Sequence, residues 1–356
     1  MKSKFIIAGG GTGGHIYPGV AIARAALRLN PEAEIHFVGS QGGLEEKIIP
    51  REGFALHLVS VGRLHKSVSL LTRLTTLLRM PLALFQCVKI LMQLKPQAVL
   101  GVGGFASGPM LLMASLMGYR TYIWEPNAMP GMANRWLARF VTETLLVFEE
   151  ARKYLSPRKI RRVGIPVRFS LPAKTLTSDR LKVLIFGGSQ GAGAINECVF
   201  KMIEMKPKLL QQIELVHQTG PLDFVRAQKL YSGAPTYFQC FEYLHDMKER
   251  YQWCDLVIAR SGASTVAEVI ACRKAAVFIP LPTAADDHQR KNAEVLVSKN
   301  AAEMILQKDL NPEKLIAVIE NFILHRDKIA KIADSVRSFE FAKSDEEIAK
   351  ILMEIP

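Results

Sequence analysis

Short apolar runs alternate with amphipathic or Ala-rich stretches along the chain, and most runs end in glycine or in a polar loop. Uninterrupted apolar runs of this length are typical of strands buried on both faces of a parallel sheet. The alternation predicts right-handed βαβ crossovers and therefore an α/β fold. We predict strands over 5–8, 34–38, 55–59, 98–102, 121–124, 144–148, 160–163, 181–186, 213–217, 236–239, 256–259 and 276–280. We predict helices over 16–29, 44–51, about 109–117, and from about 194.

The same order of strand, glycine loop and helix occurs twice. Phe5-Ile-Ile-Ala-Gly-Gly-Gly-Thr-Gly-Gly and Val183-Leu-Ile-Phe-Gly-Gly-Ser-Gln-Gly stand about 178 residues apart. Two prolines in the stretch 164–172 suit a linker between the copies. We therefore predict two Rossmann-like domains, residues 1–164 and 165–337. A C-terminal helix at about 338–356 is expected to pack back on the first domain.

The positive charge of the chain is concentrated in two segments. The chain has 46 Lys plus Arg against 33 Asp plus Glu, a formal net charge of +13. Residues 53–124 contain no acid and contribute +7, and residues 151–182 contribute +9, so that the rest of the chain carries −3. This excess indicates an anionic partner: nucleic acid, a membrane surface or a phosphate-bearing substrate. Hydrophobic residues at 49% and charged residues at 22% indicate a globular protein rather than a disordered or fibrous one.

The longest uncharged stretch is a candidate membrane span. It comprises 24 residues between Lys95 and Arg120 and contains two prolines and five glycines. That density breaks a spanning helix, so we expect a buried strand, a glycine loop and a buried helix there. The apolar run near the N-terminus is too short for a signal peptide. The five cysteines lack C-x-x-C spacing and are expected to be free thiols in a reducing cytosol.

Residues 9–14 match the spacing Gly-x-Gly-x-x-Gly of dinucleotide-binding loops. Those loops require an acidic residue at the end of the second strand, where this chain has Gly-Ser-Gln at 39–41, so a nicotinamide enzyme is disfavoured. The Walker pattern also fails, because no Lys-Ser/Thr pair follows the glycines. The remaining prediction is a loop whose amides and helix N-terminus suit phosphate or an oxyanion. His15, at the mouth of the loop, is either a packing residue or a general base.

A second polar group follows the strand predicted at 256–259. Ser261 or Ser264 can cap the next helix, which would leave backbone amides directed at the interdomain crevice. Glu268, about one turn into that helix, can accept both hydroxyls of a ribose or can be a capping or surface glutamate. The adjacent pair Asp286-Asp287 lacks the D-x-D spacing of a metal–nucleotide site, so we expect no metal and no cofactor.

Six motifs occur in order along nearly the whole chain. They are Gly-Gly-Thr-Gly-Gly-His15-Ile-Tyr-Pro18, Gly103-Gly-Phe-Ala-Ser-Gly108, Glu125-Pro-Asn127, Gly187-Gly-Ser189-Gln-Gly191, Arg260-Ser-Gly-Ala-Ser-Thr-Val-Ala-Glu268 and Asp287-His-Gln289-x-x-Asn292-Ala. With them the chain resembles the MurG family, the UDP-N-acetylglucosamine:undecaprenyl-diphospho-muramoylpentapeptide N-acetylglucosaminyltransferases of peptidoglycan synthesis. Where the family often has His-Glu-Gln-Asn, this chain has Trp124-Glu125-Pro126-Asn127. Where it often has Gly-Asn-Pro-Val-Arg, this chain has Gly164-Ile165-Pro166-Val167-Arg168.

The resemblance implies a GT-B fold, in which two Rossmann-like domains with parallel sheets face each other across a cleft. It implies an inverting, metal-independent transfer of GlcNAc from UDP-GlcNAc to the C4 hydroxyl of the muramoyl sugar of the lipid-linked acceptor. His15 would be the base for that hydroxyl. UDP-GlcNAc would bind mainly to the second domain.

Motif positions also imply the donor contacts. Ser189 would meet the diphosphate and the backbone of Leu244 the uracil. Glu268 would hold the ribose and Gln289 the GlcNAc hydroxyls. The helix segment before Glu268 would belong to the same site, namely Ala263, Ser264, Thr265, Val266 and Ala267. Contacts from across the cleft would come from Thr12, Gly13, Gly14, Asn127 and Arg168.

A lipid-linked acceptor implies a peripheral enzyme at the cytoplasmic face of the inner membrane, with no transmembrane segment, and contacts with cell-wall synthesis or division proteins. Residues 68–94 mix many Leu with scattered Arg and Lys. The mixture suits an interfacial site on anionic lipid, or else a core helix pair with solvated basic flanks. Pro81 is expected to break this stretch into two pieces.

Two other function classes stay open at this point. One is another GT-B enzyme that uses a UDP-sugar, such as a lipid glycosyltransferase or a UDP-GlcNAc 2-epimerase. The other is a nucleic-acid-binding protein. It is disfavoured because the basic residues of 63–95 are interleaved with Leu rather than with stacking aromatics, and no recognised nucleic-acid motif is present.

Overall fold

Each predicted apolar run forms all or part of a parallel strand in the computed structural model. The structure describes residues 3–61, 70–167, 171, 178–339 and 343–354, without the side chains of residues 70–77 and 207. The chain divides into two compact units. Unit 1 comprises residues 1–168 and 341–356, and unit 2 comprises residues 169–340. The prediction of two Rossmann-like parallel sheets is confirmed.

Unit 1 is built on a seven-stranded parallel sheet. Its strands are β1 (Lys4–Gly9), β2 (Glu34–Ser40), β3 (Ala55–Val59), β4 (Ala98–Gly103), β5 (Arg120–Glu125), β6 (Glu143–Leu146) and β7 (Ile160–Arg162). They lie in the order β3-β2-β1-β4-β5-β6-β7, and Phe5 pairs with Ile35 on one side and with Ala98 on the other. The strand order reverses between β1 and β4. Open α/β sheets bind ligands at the carboxyl ends of the strands at such a point.

Within the described residues, five α-helices accompany this part of the chain. They are α1 (Gly13–Leu29), α2 (Glu45–Arg51), α3 (Leu70–Leu94), α4 (Ser107–Leu116) and α5 (Met132–Leu137). Met110, Leu111 and Ala114 of α4 are buried in one core cluster with Ile6 and Val99 of the sheet. The uncharged stretch between Lys95 and Arg120 is thus a strand, a glycine loop and a buried helix, as predicted.

Pro81 does not divide α3, so the prediction of two pieces is wrong. The helix runs through the proline over 25 residues. Proline removes one N–H and leaves the carbonyl four residues earlier without its helical partner. Pro81 is exposed, and a residue and the one four places before it share a helix face, so water can bind that carbonyl. Buried Ala83, Cys87 and Leu91 hold the opposite face of α3 in the core.

Unit 2 is built on a six-stranded parallel sheet. Its strands are β8 (Leu181–Phe186), β9 (Ile213–Gln218), β10 (Phe238–Phe241), β11 (Leu256–Ala259), β12 (Ala275–Phe278) and β13 (Glu303–Met304). Their order is β10-β9-β8-β11-β12-β13. β10 starts two residues later than predicted, because a turn from the Pro235 carbonyl to the Phe238 amide precedes it. β13 was not predicted, since two residues are too few to form an apolar run.

Among the residues of unit 2 that the structure describes, eight α-helices are formed. They are α6 (Gly193–Met205), α7 (Pro207–Leu210), α8 (Phe224–Tyr231), α9 (Met247–Trp253), α10 (Ala263–Ala271), α11 (His288–Val297), α12 (Pro312–Leu324) and α13 (Asp327–Val336).

The chain then returns to unit 1 with α14 (Ser344–Met353), which packs on α1. Arg28 of α1 binds Asp345 of α14 at 2.8 Å, and Arg120 pairs with Glu354 just after the helix. Across the residues that the structure describes, none of the helices combines the length and the apolar character needed to cross a membrane.

Candidate active site

The loop between β1 and α1 lies at the switch point of the first sheet. α1 begins at Gly13, three residues earlier than predicted, and Thr12 at its N-cap is extended (φ −135°, ψ 155°) and makes no side-chain cap. Gly11 has φ +84°, which favours glycine, and open space where a Cβ would point. The first amides of a helix have no acceptor within it. The amides of Gly13 and Gly14 at the start of α1 therefore offer a positive helix end to an anion.

His15, in the first turn of α1, is partly buried. Its Nδ1 lies 3.2 Å from the carbonyl oxygen of Gly10 and 3.4 Å from Oγ1 of Thr12. A carbonyl oxygen can only accept, so the contact with Gly10 places a proton on Nδ1 and leaves the lone pair on Nε2. The ring lies against Gly103, where a Cβ would stand 2.8 Å from Cδ2 and Nε2. The neutral imidazole in this tautomer can take up a proton at Nε2.

Glu45 lies beneath the same loop, and sequence reasoning missed it. It is the first residue of α2 and only 1% exposed. Its Oε2 accepts from the Gly11 amide at 2.8 Å, and its Oε1 accepts from the Ser40 amide at 2.8 Å and the Ser40 hydroxyl at 2.7 Å. Burial raises the pKa of the carboxyl, but the hydrogen bonds outweigh burial and the net pKa is lowered, so the group is ionised at neutral pH. The available signal was an acid close behind the glycines at 39, 42 and 43.

Glu125 organises the loop after β5, where Asn127 was predicted to contact the donor. Its carboxylate is buried and accepts from the Asn127 amide and Nδ2 at 3.0 Å each, from the Gly131 amide at 3.1 Å and from Nδ2 of Asn134 at 2.8 Å. Burial raises the pKa of Glu125 and these hydrogen bonds oppose the shift. Asn127 is thus held by both its backbone and its side chain. Glu125 belongs to one of the six motifs, but no role for it was predicted from the sequence.

In unit 2 the glycine loop after β8 is locked to the loop after β9. A Cβ on Gly191, whose φ is +75°, would stand 1.9 Å from the Thr219 carbonyl oxygen, and one on Gly220 would stand 2.3 Å from the Gln190 carbonyl oxygen. Only glycines permit this approach of two backbones. Ser189, the predicted diphosphate contact, lies exposed in the middle of the first loop.

A buried polar network supports these two loops and was not predicted. Nδ2 of Asn196 donates to the Thr219 carbonyl at 2.8 Å and to Asp223 at 2.7 Å. His217 contacts Oδ1 of Asn196 at 3.0 Å and the Tyr231 hydroxyl at 2.9 Å. Burial lowers the pKa of His217 to about 3, so the ring is neutral.

α10 begins differently from the prediction. Gly262 occupies the N-cap and no side chain caps the helix. The prediction that Ser261 or Ser264 caps it is wrong, because the Ser261 hydroxyl donates instead to the Gln289 carbonyl at 2.8 Å and Ser264 lies inside the first turn. The predicted segment 263–268 forms this helix. Ser264 is exposed, Ala263, Thr265 and Glu268 are partly buried, and Val266 and Ala267 are buried. Oε2 of Glu268 accepts from the buried Tyr251 hydroxyl at 3.1 Å.

Gln289 joins the start of α11 to the preceding loop. Its Oε1 accepts from the Leu281 amide at 3.0 Å, while its carbonyl receives the Ser261 hydroxyl. Asn292 donates to the Ser261 carbonyl at 3.2 Å, so the beginnings of α10 and α11 are tied together. The side chain of Leu244 is buried in unit 2, which fixes the backbone predicted to meet uracil.

Arg168, the remaining predicted donor contact, lies outside the described residues. Within the described part of the chain, no three His, Cys, Asp or Glu side chains gather as a metal ion would need. Unit 1 therefore carries His15, Thr12, Gly13, Gly14 and Asn127. The other predicted residues that the structure describes follow the carboxyl ends of strands of unit 2, namely Ser189, Leu244, the segment 263–268 and Gln289.

Two Rossmann-like units with parallel sheets, each with a glycine loop after its first strand, place the chain in the GT-B fold class. Residues 5–146 match the glycosyltransferase family 28 N-terminal domain and residues 182–350 match the glycosyltransferase family 28 C-terminal domain. The chain is 46% identical over 99% of its length to the UDP-N-acetylglucosamine--N-acetylmuramyl-(pentapeptide) pyrophosphoryl-undecaprenol N-acetylglucosamine transferase of Bdellovibrio bacteriovorus, of which it covers 99%. The chain belongs to this family of transferases, the MurG family.

Solved structures agree with the assignment. The crystal structure of Acinetobacter baumannii MurG superposes with a TM-score of 0.82 at 26% identity, over 99% of this chain and all of that one. A solved UDP-N-acetylglucosamine 2-epimerase gives a TM-score of 0.66 over 99% of this chain and 96% of that one, but at 10% identity. The second likeness concerns the fold alone.

Proposed function

We propose that the chain transfers GlcNAc from UDP-GlcNAc to the C4 hydroxyl of the muramoyl sugar of undecaprenyl-diphospho-muramoylpentapeptide. The observation that carries the proposal is membership of the MurG family along nearly the whole chain. The residues of the candidate site also include the chemical groups that this reaction needs. Unit 1 offers a histidine with its lone pair on Nε2, and both units offer glycine loops and helix N-termini for phosphate groups.

The donor is assigned mainly to unit 2. Glu268 is a carboxylate on the first turns of α10, where it can accept two ribose hydroxyls while Tyr251 holds one of its oxygens. Gln289, at the start of α11, is assigned to the sugar hydroxyls, Ser189 to the diphosphate, and the Leu244 backbone to uracil. Thr12, Gly13, Gly14 and Asn127 are assigned to further donor contacts from unit 1, and so is Arg168.

The reaction we propose is a single displacement. The acceptor C4 oxygen attacks the anomeric carbon of GlcNAc, the bond from that carbon to the UDP oxygen breaks, and the hydroxyl proton passes to Nε2 of His15. The new bond forms on the face opposite the leaving group, so the anomeric configuration inverts. UDP leaves with the negative charge, which backbone amides and helix N-termini can stabilise without a metal ion.

We also propose that the enzyme binds the membrane surface peripherally through α3. Ala83, Cys87, Ile90 and Leu91 bury one face of this helix, while four large apolar side chains are exposed elsewhere on it, with Lys89 exposed among them. The exposed side chains are Leu78 (73%), Leu82 (51%), Phe85 (67%) and Met92 (61%). Their spacing of four, three and seven residues keeps them on one face. An apolar stripe in an acid-free, basic segment suits the surface of anionic lipid.

The decisive experiment incubates the purified chain with labelled UDP-GlcNAc and a soluble analogue of the lipid-linked acceptor. A disaccharide product with inverted anomeric configuration, formed equally well in EDTA, is the expected result. The same mixture without acceptor tests the alternative, because a 2-epimerase would still convert the donor. Turnover of the donor alone with no disaccharide in the complete mixture would overturn the proposal.

A further inference from the structure

One peptide group of unit 1 is bound on both sides by ionisable side chains. The peptide joins Gly10 to Gly11. Its N–H donates to Oε2 of Glu45 at 2.8 Å, and its carbonyl oxygen lies 3.2 Å from Nδ1 of His15. A carboxylate, an amide and an imidazole thus form one continuous line of hydrogen bonds.

The carboxylate end of this line is fixed by its surroundings. Glu45 is ionised and 1% exposed, and its second oxygen is bound by the amide and hydroxyl of Ser40. Three glycines make room for it. A Cβ would stand 2.2 Å from the carboxylate at Gly10, 2.3 Å at Gly43, and 2.5 Å from Cγ of Glu45 at Gly39. The Glu45 side chain is therefore packed directly against the backbone of these three glycines.

The imidazole end is fixed as well. The His15 amide donates to the Thr12 carbonyl at 3.1 Å, and the ring lies against Gly103. The Gly10 amide donates to the Gly103 carbonyl at 3.1 Å, so the peptide is bound to the same strand end as the ring. A free imidazole has no such constraint on which nitrogen carries its proton.

We propose that Glu45 is the positioning residue for His15 and acts through the Gly10–Gly11 peptide. This inference rests on the proposed function, in which His15 accepts the proton of the acceptor hydroxyl. A carboxylate that accepts from the peptide N–H increases the negative charge on the peptide carbonyl, because hydrogen bonds in a chain polarise one another. The carbonyl then binds the Nδ1 proton more strongly, which keeps the lone pair on Nε2 and favours proton uptake there. In a catalytic triad an aspartate fixes the tautomer and the orientation of the histidine. Here Glu45 would do the same for His15, with a peptide group between the acid and the base.

The test compares Glu45→Gln with the control Glu46→Gln. Glu46 is the next residue on α2. It is exposed, and its carboxylate binds the Gly42 amide at 2.7 Å, so the control makes the same chemical change away from the peptide. The first readout is the tautomer of His15, measured by ¹⁵N NMR of the labelled free enzyme at about pH 8.5, where an ordinary imidazole is neutral. We expect the Nδ1–H form in the wild type and in Glu46→Gln, and a several-fold shift towards Nε2–H in Glu45→Gln.

The second readout is a double-mutant cycle with His15→Ala. Glu45→Gln is expected to lower kcat about tenfold or more with the donor KM nearly unchanged, since orienting residues behind a base or ligand have effects of this order. In the His15→Ala background the same change is expected to alter kcat less than about twofold, because the residue through which Glu45 acts is gone.

The outcomes separate the two proposals. Losses that multiply in the double variant, or an unchanged His15 tautomer in Glu45→Gln, would overturn the relay and leave His15 as the base. Near-normal turnover of His15→Ala would overturn the base assignment and the relay with it. If Glu45→Gln does not fold, Glu45→Asp serves the same tests, because it keeps the charge and withdraws it from the Gly11 amide.

Discussion

The hydroxyl of Tyr251 is buried beneath α10 and donates a 3.1 Å hydrogen bond to Oε2 of Glu268. Burial raises the pKa of Tyr251 well above its usual value, so the hydroxyl keeps its proton and remains a donor. The bond fixes the rotamer of a carboxylate on the first turns of a helix, where the ribose of the donor is assigned. The Glu268 carboxylate is thus positioned before any nucleotide arrives.

We expect Glu268→Ala to raise the KM for UDP-GlcNAc about 10- to 100-fold, as the loss of hydrogen bonds to a charged group costs about 1.5–3 kcal/mol. Tyr251→Phe should raise it only a few-fold, because the carboxylate stays but is less fixed. The control is Tyr237→Phe, which also removes one tyrosine hydroxyl in unit 2 but keeps the ring that Arg180 lies over. It should leave the KM for UDP-GlcNAc unchanged. Steady-state kinetics at saturating acceptor measure all three. A wild-type KM in Glu268→Ala would remove the ribose assignment.

His15→Ala is expected to lower kcat by about 10²-fold or more while the donor KM changes little, since a general base contributes roughly 10²–10⁴ to the rate. The exposed His325 follows α12 in unit 2, and His325→Ala is the matched control. Initial rates of disaccharide formation provide the measurement. Turnover near the wild-type value in His15→Ala would show that another group accepts the proton.

Phe85→Ser should weaken binding to anionic phospholipid vesicles about tenfold, because the loss of one inserted aromatic side chain costs on the order of 1.5 kcal/mol. Leu324→Ser is the control, since Leu324 is 77% exposed on α12 of unit 2 and is not part of the stripe. Vesicle sedimentation at rising content of anionic lipid measures the affinity. Equal binding of the two variants, or binding indifferent to lipid charge and salt, would contradict the role of α3.

The free energy of unfolding should fall as the pH is lowered through the ordinary pKa of histidine. Burial lowers the pKa of His217 from 6.5 to about 3, so the unfolded chain takes up a proton that the folded chain refuses. The stabilising effect is complete above pH 6.5 and is lost as the pH falls towards 3, by about 1.4 kcal/mol per pH unit within that window. His36 and His57, which face each other at 3.2 Å, act in the same direction, because burial also lowers their pKa values.

Urea denaturation of the wild type and of His217→Gln between about pH 8 and pH 5 isolates the contribution of His217. The variant is less stable throughout, because the contacts to Asn196 and Tyr231 change, but its stability should fall about 2 kcal/mol less over this interval. If the free energy of unfolding fell equally with pH in the two proteins, His217 would take up its proton as readily in the folded state as in the unfolded chain, which would contradict the prediction.

The β-strands could be predicted because buried parallel strands form short apolar runs. The positions of His15, Glu268 and Gln289 could be identified from the motifs that the chain shares with the MurG family, and their roles stay predictions. Glu45 could not be identified in this way, since Gly11, whose amide it binds, is 34 positions away and the neighbours of Glu45 resemble an exposed helix start. The cap of α10 was predicted wrongly because the Ser261 hydroxyl donates to the Gln289 carbonyl oxygen on α11. Local sequence contains no information about that choice.

The course of α3 through Pro81 shows a different limit. Proline propensity concerns one missing hydrogen bond and one steric contact, whereas α3 is held by the burial of Ala83, Cys87 and Leu91. Tertiary packing of this size outweighs a local preference of about 3 kcal/mol when the proline faces solvent. The exposed apolar stripe could be suspected from composition, but its separation from the buried face required the structure.

The return of α14 to unit 1 has a consequence for biosynthesis. A ribosome makes residues 169–340 between the two parts of unit 1, so unit 2 is synthesised before α14 exists to cover α1. The apolar face of α1 that α14 covers therefore stays open in the nascent chain for as long as unit 2 takes to be translated. This face is therefore the part of unit 1 that is completed last, although it belongs to the part of the protein that is synthesised first.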